Sequence, residues 1–230
     1  MTPAARRLLV PAASTLAMLL ILLGLGSWQV HRLHWKAGIL ARIAAAEQAP
    51  AVKLPPLPSP FQKVAASGTL RPDLAALYGA EVRDTPTGEA LGGQLIMPLM
   101  RQDALPVLID LGWVPGERRA PPDLPKGETT IDGYVRPAEH PGWFSAEDDP
   151  SARLFYTLDP QAIGAALGLP VVEPFTLVAL GPTPARGWPD PAHTLPRPPN
   201  NHLQYALTWY GLAVVLLVVF GSYVRKTLHP

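Results

Sequence analysis

No cysteine occurs in the 230 residues, which excludes disulfide bridges, thiolate metal sites and a cysteine nucleophile as intrinsic chemistry. Net charge is also close to absent. Nineteen Lys and Arg against 18 Asp and Glu leave +1, with no basic stripe beyond the flanks of two apolar runs, so no nucleic acid partner is expected. The catalytic signatures are missing as well: no G-x-S-x-G elbow, no H-E-x-x-H helix, no Walker loop, and no G-x-G-x-x-G following a strand. A membrane-tethered hydrolase is disfavoured because no nucleophile–base pair is evident, and the chain is read as a non-enzyme.

What is present is long stretches without charge. Leu8–Val30 runs for 23 residues and Leu203–Val224 for 22. About 20 apolar residues at ~1.5 Å rise cross a ~30 Å hydrocarbon core, so each is long enough to span a bilayer. A soluble surface helix would need a polar face, which neither run has. A cleaved secretion signal is the rival reading of the first run, because Arg6 and Arg7 precede it. The segment Gly24–Gln29 offers no cleavage site in the A-x-A style, and the run is long for a signal core, so an uncleaved span is preferred. Arg6 and Arg7 before the first run, and Arg225 and Lys226 after the second, place both termini in the cytoplasm. Arg32, Lys36 and Arg42 pull the other way, but the intervening loop exceeds the roughly 60 residues over which that tendency acts.

The expected organisation is therefore a cytoplasmic tail (1–7), a span (8–30), a helix extension with a proline-rich linker (31–60), a β-rich extracytoplasmic domain (61–180), a second proline-rich linker (181–202), a span (203–224) and a cytoplasmic tail (225–230). Helical spacing of Ile39, Leu40 and Ile43 extends the first helix outward, to a stop at Pro50. Gly181–Pro199 carries seven prolines and few apolar anchors, which reads as a linker. Between the linkers the dominant period is two, giving strands at Gln62–Leu70, Gln94–Met100, Pro106–Val114, Thr129–Arg136 and Phe175–Leu180. The most apolar of these, around Leu105–Asp110, is expected to be central, and Pro98 argues for an edge or a bulge. Asp159 as N-cap, Pro160 at the first helical position and Gly168 past Leu167 predict one short helix. The fold class is thus a membrane protein with two terminal transmembrane α-helices flanking a small, mainly-β, barrel- or sandwich-like α+β domain.

Few residues suggest binding chemistry. Glu147-Asp148-Asp149 offers ligands for a hard cation, or simply a solvated acidic loop. His140 and His193 sit among prolines and read as surface residues; His31 and His34 could share a metal, or be polar residues at a helix end. The membrane boundary is richer. On a 100° step, His202, Tyr205 and Trp209 fall on one face of the second helix, and Trp28, Arg32 and Trp35 on one face of the first. Aromatic belts anchor many membrane helices, which accounts for the rings but less well for His202 and Arg32. An imidazole to ligate iron axially, flat rings to stack on a macrocycle and an arginine to pair with a propionate would together suit a tetrapyrrole.

At these same residues the chain resembles a known family. Gly26–Lys36 matches a G-x-W-Q-x-x-R-x-x-W-K pattern, Val107–Pro115 an apolar strand ending R-G-W-V-P, and Asn200–Trp209 the signature N-N-H-x-x-Y-A-x-T-W. Phe61-Gln62-Lys63-Val64 with Ser67-Gly68, and Ile131–Arg136, fall between them in the family's order. The family is that of the Surfeit-locus-one cytochrome c oxidase assembly factors. The resemblance implies a double-span protein of the bacterial inner membrane with a periplasmic domain, or of the mitochondrial inner membrane. It implies a part in maturing haem-copper oxidase, with the oxidase catalytic subunit, the lipid bilayer and a haem a synthesis enzyme as partners. It also implies haem a as a transient ligand, with His202 holding the iron and Arg32, Trp28 and Trp35 as the motif residues of the first span. A scaffold that stabilises the catalytic subunit without touching haem is the alternative. One departure stands out: Leu111 occupies the place of the family's arginine before G-W-V-P.

Overall fold

In the computed structural model, the described residues are 3–85, 88–116, 124–125, 127–185 and 187–228. Residues 1 and 2 of the expected N-terminal tail, residues 229 and 230 of the C-terminal one, and the side chain of Arg6 lie outside them. The chain divides into two compact units, one formed by residues 1–42 with 197–230, the other by residues 43–196.

The first unit consists of helical segments. Helix α1 is Pro3–Gln48 and helix α3 is His202–Leu228. Both contain stretches long and apolar enough, by length and composition, to cross a membrane. Their outward faces carry large apolar side chains with nothing over them, among them Leu16 (57% exposed) and Val218 (63%). A helix that is apolar all round and uncovered is suited to lipid. The expected outward extension of the first helix is present and ends two residues before Pro50, as the missing N–H of proline requires.

The second unit is built on strands β1 (Val52–Lys53), β2 (Lys63–Leu70), β3 (Ala76–Thr85), β4 (Gly88–Met100), β5 (Val107–Pro115), β6 (Glu128–Pro137), β7 (Leu154–Phe155) and β8 (Phe175–Ala179), with helix α2 (Pro160–Ala166). Their order is β1-β2-β6-β8-β5-β4-β3-β7, and a further β2–β4 pairing closes β2, β6, β8, β5 and β4 into a five-stranded barrel. Closure removes the exposed edges that an open sheet would leave. The pairing within the ring is antiparallel except for β5–β8, which is parallel. The alternation along each strand divides the side chains. Val64, Leu95, Met97, Ile109, Val135 and Leu177 fill the barrel core. On the opposite face, Ala76, Ile96 and Leu108 make a second core with Phe155, Leu158, Ile163 and Leu167. Strand β5 is the central element that its apolar run predicts, buried from Val107 to Val114.

Pro98 sits in a gap. Strand β3 pairs with β4 only up to Ile96, and β2 pairs with it from Leu99. The carbonyl of Pro98 accepts a bond from Arg71 N, so the missing N–H faces the same interval and breaks no ladder. Helix α2 begins as its sequence predicts: Asp159 accepts bonds from the N–H groups of Gln161 and Ala162, and Gly168 takes φ +78 beyond the last turn.

Two segments depart from expectation. Strand β3 carries no clean alternation, because a bulge between Tyr78 and Glu81, with Gly79 at φ +73, resets its period. The proline-rich stretch after residue 180, expected as a linker, packs as far as Leu195, which is 2% exposed. Trp188 lies against the barrel core and tilts against Trp113 with ring centroids 5.2 Å apart. Asp190 exchanges both backbone hydrogen bonds with Trp113, and Ala192 bridges to Leu180. Prolines mimic a connector in composition, but here they stiffen a strap pinned by one large ring and two backbone pairs. Leu111 points into the barrel core at 6% exposure, so this position contributes apolar packing where the family pattern has a cation.

Candidate functional site at the helix pair

The two long helices approach closely along stripes of small residues. On α1 the covered positions are Leu22, Gly26 and Gln29; on α3 they are Ala206 and Ala213. The spacing of four and three keeps each set on one helix face. A Cβ on Gly26 would stand 2.7 Å from the Tyr210 ring, so only glycine admits that ring. Gly24 meets nothing within 4 Å, so of the two glycines only Gly26 serves packing. Close approach of this kind is what small residues provide between membrane helices. Ser27 and Tyr210 hydroxyls share a 3.2 Å hydrogen bond across the same seam.

At the seam's end lies His202. Its Nδ1 is 2.7 Å from Oε1 of Gln29, itself only 9% exposed. With the amide oxygen accepting, Nδ1 carries a proton, and in the neutral ring Nε2 is then the nitrogen with the free lone pair. Asn200 donates to the Leu33 carbonyl at 3.5 Å, while its own Oδ1 is buried without a protein partner. Arg32 is half-buried, and its guanidinium lies 4.6 Å from the Trp35 ring centre and 5.9 Å from that of Trp28. Its Nε is buried without a hydrogen-bond partner. Two polar atoms so placed are uncommon in a folded chain.

The predicted site residues are thus partly assembled. Trp28, Arg32 and Trp35 form one stack on α1. His202 meets α1 through Gln29 rather than through the rings. Trp28 and Trp35 are each 52% exposed and Tyr205 55%, with Trp209 half-buried. The seam itself admits Gly26, Gln29, Ala206 and the Tyr210 ring, and Trp28, Trp35 and Tyr205 lie outside it. Gln29, Asn200 and Tyr210 were not among the sequence candidates. Gln29 lies inside the quoted W-Q motif, one helical step from the face chosen, and that motif was the only signal for it.

A second polar cluster lies in the other unit, on the outer face of the barrel. Asp110, Tyr134, Arg136, Tyr78, Arg83 and His193 line a cavity of about 360 Å³. Arg136 donates to Glu139 at 2.6 Å and to the Tyr78 hydroxyl at 3.0 Å, and Tyr78 donates to Glu139 at 3.0 Å. Burial raises the Glu139 carboxyl, yet Arg136 outweighs it and holds the pKa below the usual range. His193 is an exposed surface residue, as expected, and is also held in place: it bonds the Gly181 carbonyl at 2.9 Å and lies 3.5 Å from Asp190. The acidic run, in contrast, needs no cation. Asp148 accepts from the N–H groups of Tyr156 and Thr157, and Asp149 from Ser151 and Ala152. No group of three potential metal ligands occurs among the described residues.

Asp110 gives a pH prediction. Burial pushes its carboxyl up to about 6, against the opposing Gly112 N–H bond and the charges of Arg136 and Arg83. An unfolded aspartate titrates near ~3.9. The folded chain therefore holds a proton that the unfolded chain has released. The resulting stabilisation is complete below about pH 4 and is lost as pH rises through about 6. Asp110→Asn keeps an acceptor for Gly112 and cannot ionise. It is expected to exceed the parent in stability by roughly 1–3 kcal/mol at about pH 7.5 and to converge with it at about pH 3.5. Denaturant midpoints of the full chain in detergent at the two pH values check this, and parallel profiles would contradict it.

The architecture and the seam define a class: a small barrel domain flanked in sequence by two membrane-length helices, with a histidine set where those helices meet. The SURF1 family model matches residues 16–214, and the chain belongs to the SURF1 family. It is 30% identical to a SURF1-like protein of Rickettsia conorii, over 90% of this chain and 88% of that one. It is 28% identical to a SURF1-like protein of Monosiga brevicollis, over 92% and 86% respectively. Surfeit locus protein 1 of Mus musculus is 27% identical over 96% of this chain and 75% of its own length. Membership supports the role in cytochrome c oxidase assembly that the sequence resemblance implies. The two apolar helices are consistent with a membrane protein.

Proposed function

We propose that this chain carries haem a at the outer side of the membrane and passes it to the catalytic subunit of cytochrome c oxidase, with His202 as axial ligand of the iron. The observation that supports this most is the 2.7 Å bond between His202 Nδ1 and Gln29. It fixes the tautomer and ring plane and leaves Nε2 as the available donor, which is how a second partner commonly prepares a histidine ligand. The unpartnered Arg32 Nε suits a propionate, and the exposed faces of Trp28, Trp35 and Tyr205 suit a macrocycle and its apolar tail. The residues present fit the group. When bound, haem a supplies the redox-active iron that the oxidase needs; here it is cargo. This chain's own residues orient it, and a single neutral imidazole holds it loosely enough for release. Handing over from a haem a synthesis enzyme, on the periplasmic side in a bacterium, completes the proposal.

Cells lacking their own copy, complemented with His202→Ala, test it. The expected result is oxidase whose catalytic subunit is made but whose haem a content falls about tenfold or more. Full haem a content with the variant would overturn the proposal and favour a scaffold that never touches haem.

A further inference from the structure

The loop between β6 and β7 carries two of the most exposed rings in the chain. Trp143 is 100% exposed and Phe144 101%, and every residue from His140 to Glu147 is exposed. Paired rings fully in water are costly, and a soluble surface rarely keeps them without a use. The loop's base is fixed by the Glu139 N–H on the Leu158 carbonyl and by Asp148 capping Tyr156 and Thr157. Its tip is a closed turn. Ser145 Oγ accepts from Gly142 N at 2.8 Å, and Ser145 N donates to the Gly142 carbonyl at 3.1 Å. The turn therefore satisfies part of its own backbone before it meets any surface.

We propose that Trp143 and Phe144 insert into the headgroup–acyl boundary of the bilayer as a third membrane contact of this chain. The inference rests on the reading of α1 and α3 as membrane spans. Three observations favour lipid over a protein partner. The unit bearing the loop is joined by the chain at both ends to helices of membrane length, so a bilayer is within tethered reach. From His140 to Ala146 there is no Asp, Glu, Lys or Arg to desolvate. The rings also crown a turn, and tryptophan with a flanking apolar ring is the residue choice of membrane interfaces.

The absence of native cysteine makes the test direct. The full chain carrying one nitroxide label, at Phe144→Cys or Trp143→Cys, is reconstituted in vesicles of phosphatidylethanolamine and phosphatidylglycerol. Label accessibility to oxygen and to a water-soluble nickel complex is then compared with that of Val82→Cys, on the exposed face of β3, and of Leu16→Cys in α1. Both loop labels are expected to show an oxygen-to-nickel ratio several-fold above the Val82 label. A loop label as aqueous as that at Val82, with the Leu16 label in lipid, overturns the insertion while the spans stand, and leaves the rings to a protein partner. An aqueous label at Leu16 overturns the span reading and the insertion with it. Both rings are fully exposed, so neither loop substitution disturbs the packed domain.

Discussion

Replacing Trp113 by alanine is expected to lower the stability of the barrel unit by about 3–5 kcal/mol, the usual cost of emptying a buried aromatic site. Trp113 is 0% exposed. Its indole N–H donates to the Glu81 carbonyl at 3.2 Å, its ring meets Trp188 at 5.2 Å, and Arg83 stacks over it at 5.4 Å. A Cβ on Gly92 would come within 2.5 Å of the ring, so the surrounding backbone is shaped to it and collapses poorly into the space left. The loss propagates along the chain, because the strap from Trp188 to Ala192 is held by the Trp113 backbone and by this ring contact. Against a typical domain stability of about 5–15 kcal/mol, the change removes a large share. Chemical denaturation of the full chain in detergent, followed by near-ultraviolet circular dichroism, measures it. A loss under about 1 kcal/mol would show that the strap does not depend on Trp113.

The second large effect is at Gly26. Valine there places carbon against the Tyr210 ring, where even a Cβ would stand 2.7 Å away. The helices must separate or Tyr210 must leave the seam, and either change breaks the Ser27–Tyr210 hydrogen bond. Gln29 lies one turn along the same face, so its bond to His202 loosens and Nε2 is no longer fixed. Haem a retained per chain is expected to fall roughly tenfold or more. Gly24→Val is the control: nothing lies within 4 Å of a Cβ there, and retention should be unchanged. Equal retention in both variants would show that the seam does not prepare the histidine.

Much of this was legible from the residues themselves. The apolar run around Val107–Val114 and the Asp159-Pro160 start of α2 state their structure locally and form as stated, and the two charge-free runs form helices long and apolar enough to cross a membrane. Strand β3 was hidden because a bulge at Gly79 interrupts its period. The strap was hidden because prolines read as a linker, and only the tertiary contact of Trp188 shows otherwise. At the helix pair, the histidine and the arginine were found from their unusual chemistry at a membrane boundary. Gln29 was not, since an amide in a polar-ended helix carries no distinctive chemistry until its partner is known. Which side chains enter a seam depends on small residues such as Gly26 and Ala206, and those set the rotation of both helices. The cavity beside Asp110 draws on β3, β4, β5, β6, β8 and the strap, a combination that only the barrel's closure creates.

The central claim is that His202, oriented by Gln29, holds the haem iron. The most direct measurement is the absorption spectrum of the full chain purified in detergent after co-expression with a haem a synthesis pathway, taken beside His202→Ala. The account predicts a haem a band near one per chain in the parent and none in the variant. A chain that carries no haem a, or an identical band in both, would contradict it.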